Sequence, residues 1–491
     1  MSRTATYRFQ VDWNRDGDFS DSNEDLTAYV TSASWNVGFR ELYADVAGET
    51  ALTMTLDNHD GRFSPENAVG TAAYGAQWSM RPVRVQAVYS GGTATLWSGW
   101  TKDISPMFGK EGTEATLTAN GGRAWLESQE ISLPVMEGLR SDEILTRIMD
   151  KVYVPPATTP GPWRLGRAGY SELGTNTYLR PSAITNNFQT GAQTFTYAGD
   201  GWGGGVSALD AITDVVRAER GRFFFNRAGQ AVFWNRSYLP TNVTLTATFD
   251  GNMQGMSYSY GARLANVVTV RCYPRTLGAG ASDVLWELDE PVTLKPGQNK
   301  TLRARYTEQG TDTQIAGVEV VKPNTLDGSL VVSAGDATIR RFTADATSAE
   351  IELGQQGLDS ATISTLIVRG RKLTKYNVVA VEERDWASIY DRGQFAFDLD
   401  LPMLDDESMA RSIALYEIGR RKTPRGEVKL TLMNRDATAL GHILARTMGD
   451  RIRVEDDRTG HSADHIIVGE EHTLVRGAGM KHHQVTWTLE P

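Results

Sequence analysis

The chain has 491 residues, 40% hydrophobic and 22% charged, a globular composition long enough for three or four domains. Its formal net charge of −10 argues against a DNA-binding surface and against docking on anionic membranes. A lone Cys272 excludes an intrachain disulfide scaffold, and no apolar run approaches the roughly 20 residues of a membrane-spanning helix. The lone cysteine also leads to the expectation of assembly in a reducing cytoplasm, and the first residues carry no signal-peptide pattern.

Tyr7–Val11 reads as a strand that runs into Asp12-Trp-Asn14-Arg-Asp16-Gly17-Asp18-Phe-Ser-Asp21-Ser-Asn-Glu24. Oxygen side chains at alternate positions, with glycine sixth, are what a calcium loop needs. Asp12, Asn14 and Asp16 are the expected side-chain ligands. Asp18 would add a carbonyl and Glu24 would close the site, one position later than in a standard loop. The alternative is an Asx-rich turn that holds no metal.

Residues 30–119 are strand-rich, with Trp35 and Trp97 expected near interfaces as often as in the core, as is Trp13. Glu49–Asp60 alternates apolar and polar residues and breaks on Asp57-Asn58. A turn-rich loop, Asp60–Asn67, follows. Pro134 begins a different region. Ser141 is the expected N-cap of a helix to Asp150, and residues 154–162 read as a rigid proline loop. A glycine-rich turn at 201–205 leads into a helix at Val206–Glu219, and a hairpin follows at Arg222–Trp234. The turn lacks the lysine of a phosphate-binding loop. Asn266–Tyr273 is a strand. Short alternating segments from Val284 to Ile367 predict an inserted β-module. Met409–Arg421 is an amphipathic helix that stops before Pro424.

Gly426–Asp436 then repeats the alternation of Glu49–Asp60, and more follows in the same order. Arg81–Val85, Leu96–Gly99 and Ala115–Thr118 are echoed by Asp450–Val454, Ile466–Gly469 and Val485–Thr488. Val83 lies 16 residues before Gly99 and Ile452 lies 17 before Gly469. Four strand-like segments in one order at both ends of the chain read as a duplicated β-domain. In the second copy the first strand leads into a helix, with Asp436 as N-cap and Gly449 as the stop.

Six of the seven histidines lie after residue 440. His461–His465 lacks the glutamate of a zinc-binding H-E-x-x-H, and these histidines are expected to be solvated loop residues. His482 and His483 should point to opposite faces of one strand. No nucleophile motif and no singled-out carboxylate pair marks a catalytic site.

Leu56-Asp-Asn-His-Asp-Gly-Arg-Phe-Ser-Pro-Glu-Asn67, the Asp12–Glu24 loop, Glu219-Arg-Gly-Arg-Phe-Phe-Phe-Asn-Arg-Ala-Gly229, Val368-Arg-Gly-Arg-Lys-Leu-Thr374 and Glu383-Arg-Asp-Trp-Ala-Ser-Ile-Tyr390 resemble the tail hub proteins of long, non-contractile-tailed bacteriophages. The resemblance runs over nearly the whole chain. It implies two tube-like β-barrel domains per chain, three copies of which make a pseudo-six-fold ring. The expected fold is mainly β with a few short helices. Residues 1–133 would be one barrel and 134–261 an α+β domain. Residues 262–275 with 376–491 would be the second barrel, and 276–375 the inserted β-sandwich-like module, for which the resemblance offers no role. The expected function is non-enzymatic: a homotrimeric hub in the virion tail tip, assembled in the host cytoplasm. It would contact tail tube, tape-measure and tip or fibre proteins and let genome DNA pass without specific binding. The alternatives are a calcium-dependent carbohydrate- or receptor-binding tail protein and a tail-associated cell-wall hydrolase.

Overall fold

The computed structural model describes residues 5–74, 78–109, 112–154, 184–203, 205–261, 263–280, 282–477 and 480–491. The chain is mainly β, with short helices, as the alternating patterns predict. Most of the proline loop expected at 154–162 lies outside the described residues.

One twelve-stranded sheet organises the molecule. Its strands are numbered here in chain order: β1 (Thr6–Val11), β2 (Val30–Gly38), β3 (Ala51–Asp57), β4 (Pro82–Tyr89), β5 (Gly92–Gly109), β6 (Gly112–Asn120), β7 (Leu245–Asp250), β8 (Gly255–Tyr260), β9 (Gly426–Met433), β10 (Arg451–Asp456), β11 (His461–Gly477) and β12 (Met480–Glu490). The first six run in the spatial order β1-β4-β5-β6-β3-β2. The last six run β7-β10-β11-β12-β9-β8, which is the same order. Register agrees as well as order. Met54 faces Leu117 and Leu56 faces Ala115 in the first half; Leu430 faces Trp487 and Leu432 faces Val485 in the second. The alternation that predicts each strand places these residues in the core and their neighbours outside it.

The structure adjusts the repeat in four ways. Val83 faces Gly99, but Ile452 faces His465, so Gly99 corresponds to His465 and not to Gly469. The first half also has a helix between its third and fourth strands, Ala68–Tyr74, matching Ala437–Ala445 in the second. It starts after the Asn58–Asn67 turn, where Asn58 Oδ1 accepts from Phe63 N at 2.8 Å and Asn58 Nδ2 donates to Ser64 Oγ at 3.1 Å. β7 runs parallel to β10, whereas β1 runs antiparallel to β4. Finally, β2 pairs directly with β11, so the two expected barrels are, in strand pairing, halves of one sheet around one continuous core.

The expected boundaries shift accordingly. Residues 245–260 join the second half of the main sheet instead of the α+β domain. The strand Val267–Cys272, expected in the second barrel, pairs with Val379–Arg384 and Ala396–Asp400. That small sheet packs on helix Glu407–Arg421 around Val268, Val270, Ile413 and Ile418, a core of its own. The α+β region packs helices Ser141–Met149 and Ala208–Glu219 against the hairpin Arg222–Phe225/Ala231–Trp234. Ser141 is not an N-cap: Arg140 holds that position, and the Ser141 hydroxyl donates to buried Glu219 at 2.6 Å. The inserted module is two sheets sharing one core, built around the long strand Ala361–Lys375.

Candidate ring-forming edges and metal loop

The two halves meet where β2 lies antiparallel to the outer part of β11, from Ser32 opposite Val475 to Gly38 opposite Gly469. Gly469 is required there, because a Cβ would come within 1.9 Å of the Phe39 carbonyl oxygen. A chain of polar side chains is buried under this junction. Arg227, from the hairpin of the α+β region, donates to Glu470 at 2.8 and 2.6 Å. Glu470 contacts His472 Nε2 at 2.9 Å, His472 reaches His483 at 3.0 Å, and His483 meets the Tyr7 hydroxyl at 2.7 Å. Trp35 stacks on the His472 ring at 4.9 Å. Arg227 also donates to the carbonyls of Leu444 and Arg446 at 3.0 and 2.8 Å, at the end of helix Ala437–Ala445. One guanidinium thus ties three elements together.

The electrostatics follow from this packing. Burial pushes the His472 and His483 imidazoles below their ordinary range, so both are held neutral. Burial alone would raise Glu470, but Arg227 and His472 outweigh it and hold the carboxyl down. The expectation of solvated loop histidines is therefore corrected. His465, His472 and His483 lie in β11 and β12 and are buried, while His482 is exposed on the opposite face from His483. Trp13, Trp35 and Trp97 are likewise core residues. A second buried group joins Arg220 to Glu417 and Asp45, each at 2.9 Å, and joins Glu490 to Arg222 and Arg420.

Two edges of the sheet carry apolar side chains into solvent. On β8, Tyr258 and Tyr260 are 41% and 68% exposed. On the outer part of β5, Met107 and Phe108 are 64% and 69% exposed. Large apolar side chains grouped along strand edges mark interaction sites.

The 12–24 loop brings Asp12, Asp16 and Glu24 together, with carboxylate oxygens within 4.8 Å of one another. Among the described residues it is the one such cluster. Asp12 is pinned by the Arg15 and Gly17 backbone N–H groups at 2.5 and 3.1 Å, and Gly17 has the positive φ of 93° that the turn requires. Burial pushes the Glu24 carboxyl up to about 7, with Asp12, Asp21 and Asp16 adding repulsion. Asn14 sits beside the cluster, its amide donating to Asp16 at 3.0 Å and Asp21 at 2.8 Å. The Asp18 carboxylate turns away to accept from Ser20 N at 2.8 Å. Spacing alone located the loop; it did not foresee which carboxylates are buried.

No protein-family model matches the sequence, and no curated protein does. Among solved structures, the chain is similar to the tail protein of Neisseria meningitidis MC58, at 9% identity and a TM-score of 0.49, over 99% of this chain and 96% of that one. It is similar to the 43 kDa tail protein of prophage MuSo2 from Shewanella oneidensis at 10% identity and a TM-score of 0.47, over 98% of both chains. A prophage tail protein of Listeria monocytogenes EGD-e is similar at 7% identity and a TM-score of 0.41, over 98% of this chain and 94% of that one. These structural neighbours are tail proteins, the latter two from prophages. Identities of 10% or less leave the function to be read from this chain's own strands and edges.

Proposed function

We propose that the chain is a structural component of a phage tail tip, a hub of which three copies close into a six-position ring on the tail axis. The observation that supports this reading is the duplication: two six-strand halves share one strand order and are joined edge to edge within one chain. A subunit that presents the same unit twice supplies two ring positions, so three subunits fill six. Cyclic closure then needs heterologous contacts, the second half of each copy meeting the first half of the next. Such a ring adapts a six-fold tube to three-fold tip or fibre proteins. Its neighbours are tube and tape-measure proteins, and the chain needs no catalytic site for this task.

A bore lined by polar and acidic side chains would let the genome pass, because a cationic lining would hold DNA through counterion release. The net charge of −10 accords with that. The test is a reconstruction of a tail tip that carries this chain. Three copies in a co-axial ring are expected. Six copies, or a position on a side fibre away from the axis, would overturn the reading.

A further inference from the structure

The duplication leaves one contact unmatched. In the first half, β2 has β3 on one side and the outer part of β11 on the other. Its counterpart β8 pairs with β9, and among the described residues no strand lies on its other side. The counterpart of the outer part of β11 is Asp103–Gly109 of β5, because Ile104 faces Leu117 as Glu470 faces Trp487. This stretch pairs with β6, and among the described residues its other edge is also unpaired.

We propose that β8 of one copy adds to Asp103–Gly109 of the next as an antiparallel strand, repeating the β2–β11 junction between subunits. This rests on the ring reading above. The register follows from the repeat. Ala33 faces Met54 as Met256 faces Leu430, so β8 takes the place of β2 residue for residue. Within the chain, Ala33, Trp35 and Val37 face Leu474, His472 and Glu470. Between copies, Met256, Tyr258 and Tyr260 then face Phe108, Pro106 and Ile104. Ser257 faces Met107 and Ser259 faces Ser105.

The chemistry of the two edges agrees with this pairing. Both triads occupy the core-facing side of their strands, and both are apolar. The equivalent positions inside the chain hold His472 and Glu470, which need Arg227 from a third element. The junction between copies has no buried charge to neutralise, so it forms without a third element. Aromatic residues and methionine are what such interfaces enrich. Pro106 has no N–H, so that position offers an added strand only its carbonyl as an acceptor.

The test is a chain with Met107→Cys and Ser257→Cys in assembled tail tips. Directly opposed antiparallel residues are about 4.5–5.5 Å apart between Cα atoms, within reach of a disulfide. Buried Cys272 does not compete. An on-axis ring with a 107–257 bridge between subunits is expected, well in excess of a register-shifted control of Met107→Cys with Ser259→Cys. A ring without that bridge, or with equal bridging in the control, overturns this junction and leaves the ring reading standing. An off-axis chain with no ring removes both.

The 12–24 loop independently carries a second inference. Asp12 and Glu24 are buried, and Glu24 Oε1 has no hydrogen-bond partner although it is shielded from solvent. A buried carboxyl oxygen without a hydrogen-bond partner is costly, and a hard divalent cation removes that cost. Arg81 and Arg84 lie close enough to sense Asp12 and Glu24 respectively, yet neither supplies that oxygen. We infer that the loop binds one calcium ion through Asp12, Asp16 and Glu24, with the Asn14 side-chain oxygen and the Asp18 carbonyl as further ligands on the same turn. Residues 24–26 lie along the outer edge of β1, where Val11 N donates to Glu24 O at 3.0 Å and Leu26 N to Phe9 O at 2.8 Å. The ion would fix this cover and keep β1 from adding strands.

Titration calorimetry of the full chain with calcium chloride should give one site per chain. Cleavage within residues 12–25 should slow about tenfold at a tenfold excess of free calcium over Kd. Asp16→Asn removes an exposed carboxylate and should keep the fold while losing both responses; Glu24→Gln should lose them as well. No heat and no protection at millimolar calcium overturns the site, and an equal response to magnesium overturns the assignment to calcium.

Discussion

Replacing Glu470 with alanine is expected to lower stability by about 3–5 kcal/mol, the cost of leaving one member of a buried ion pair without its partner. The Arg227 guanidinium is buried against Glu470 and keeps only backbone carbonyls when the carboxylate is removed. His472 loses its acceptor at the same time. Glu470→Gln keeps the shape and one acceptor oxygen, so its loss should be smaller. Arg227→Met combined with Glu470→Leu removes both charges and should recover part of the difference, because no buried charge is left without its partner, while His472 and the Leu444 and Arg446 carbonyls still lose theirs. Urea denaturation of the wild type, Arg227→Met, Glu470→Leu and the double change closes a double-mutant cycle. The coupling should be large, since the two side chains share two hydrogen bonds at a buried site. Equal and additive losses for the single changes would mean that the pair does not hold the junction.

The duplication was legible because a half-buried strand has a period of two, which survives in sequence as Leu52-Met54-Leu56 and Val428-Leu430-Leu432. Partner register was less legible. The glycines at 99 and 469 look equivalent, yet each is fixed by a different neighbour: Asn120 crowds the first and Phe39 the second. The membership of β7 and β8 was missed for a topological reason. They precede their sheet partners by roughly 170 to 200 residues, and β7 has reversed direction relative to β1. Pattern alone identifies Met256, Tyr258 and Tyr260 as one face of a strand but cannot say which sheet receives it.

The histidines show where residue type misleads. Their polarity pointed to solvent, but His472 and His483 are buried because Glu470, Arg227 and Tyr7 satisfy them from distant parts of the chain. Three of the five expected calcium ligands cluster through their side chains, because oxygen spacing along a tight turn is a local property. Burial of Glu24 depends on how the turn folds over β1, which is not local.

His465 should make stability depend on acid in a way that one substitution exposes. It is buried in β11, its Nε2 is 2.9 Å from His461 Nε2, and its Nδ1 has no hydrogen-bond partner. Burial, with His461 adding repulsion, pushes it down to about 4. An unfolded histidine titrates near 6.5, so between these values the unfolded state binds the extra proton. The neutral ring's contribution is therefore complete above pH 6.5 and is lost as the pH falls towards 4. The loss across that window is about 3 kcal/mol, at 1.36 kcal/mol per unit. Other groups work in the opposite direction. Burial raises Glu49 to about 7, and a raised carboxyl favours the folded state in acid. The slope of the wild-type curve alone is thus a sum, and the informative quantity is a difference. His465→Asn should cost stability at pH 7.5 through lost packing, and the gap should close or reverse by about 3 kcal/mol as the pH approaches 4. Denaturation curves of the two proteins across that range read the gap directly. Parallel curves would show that His465 is charged, or solvated, in the folded chain.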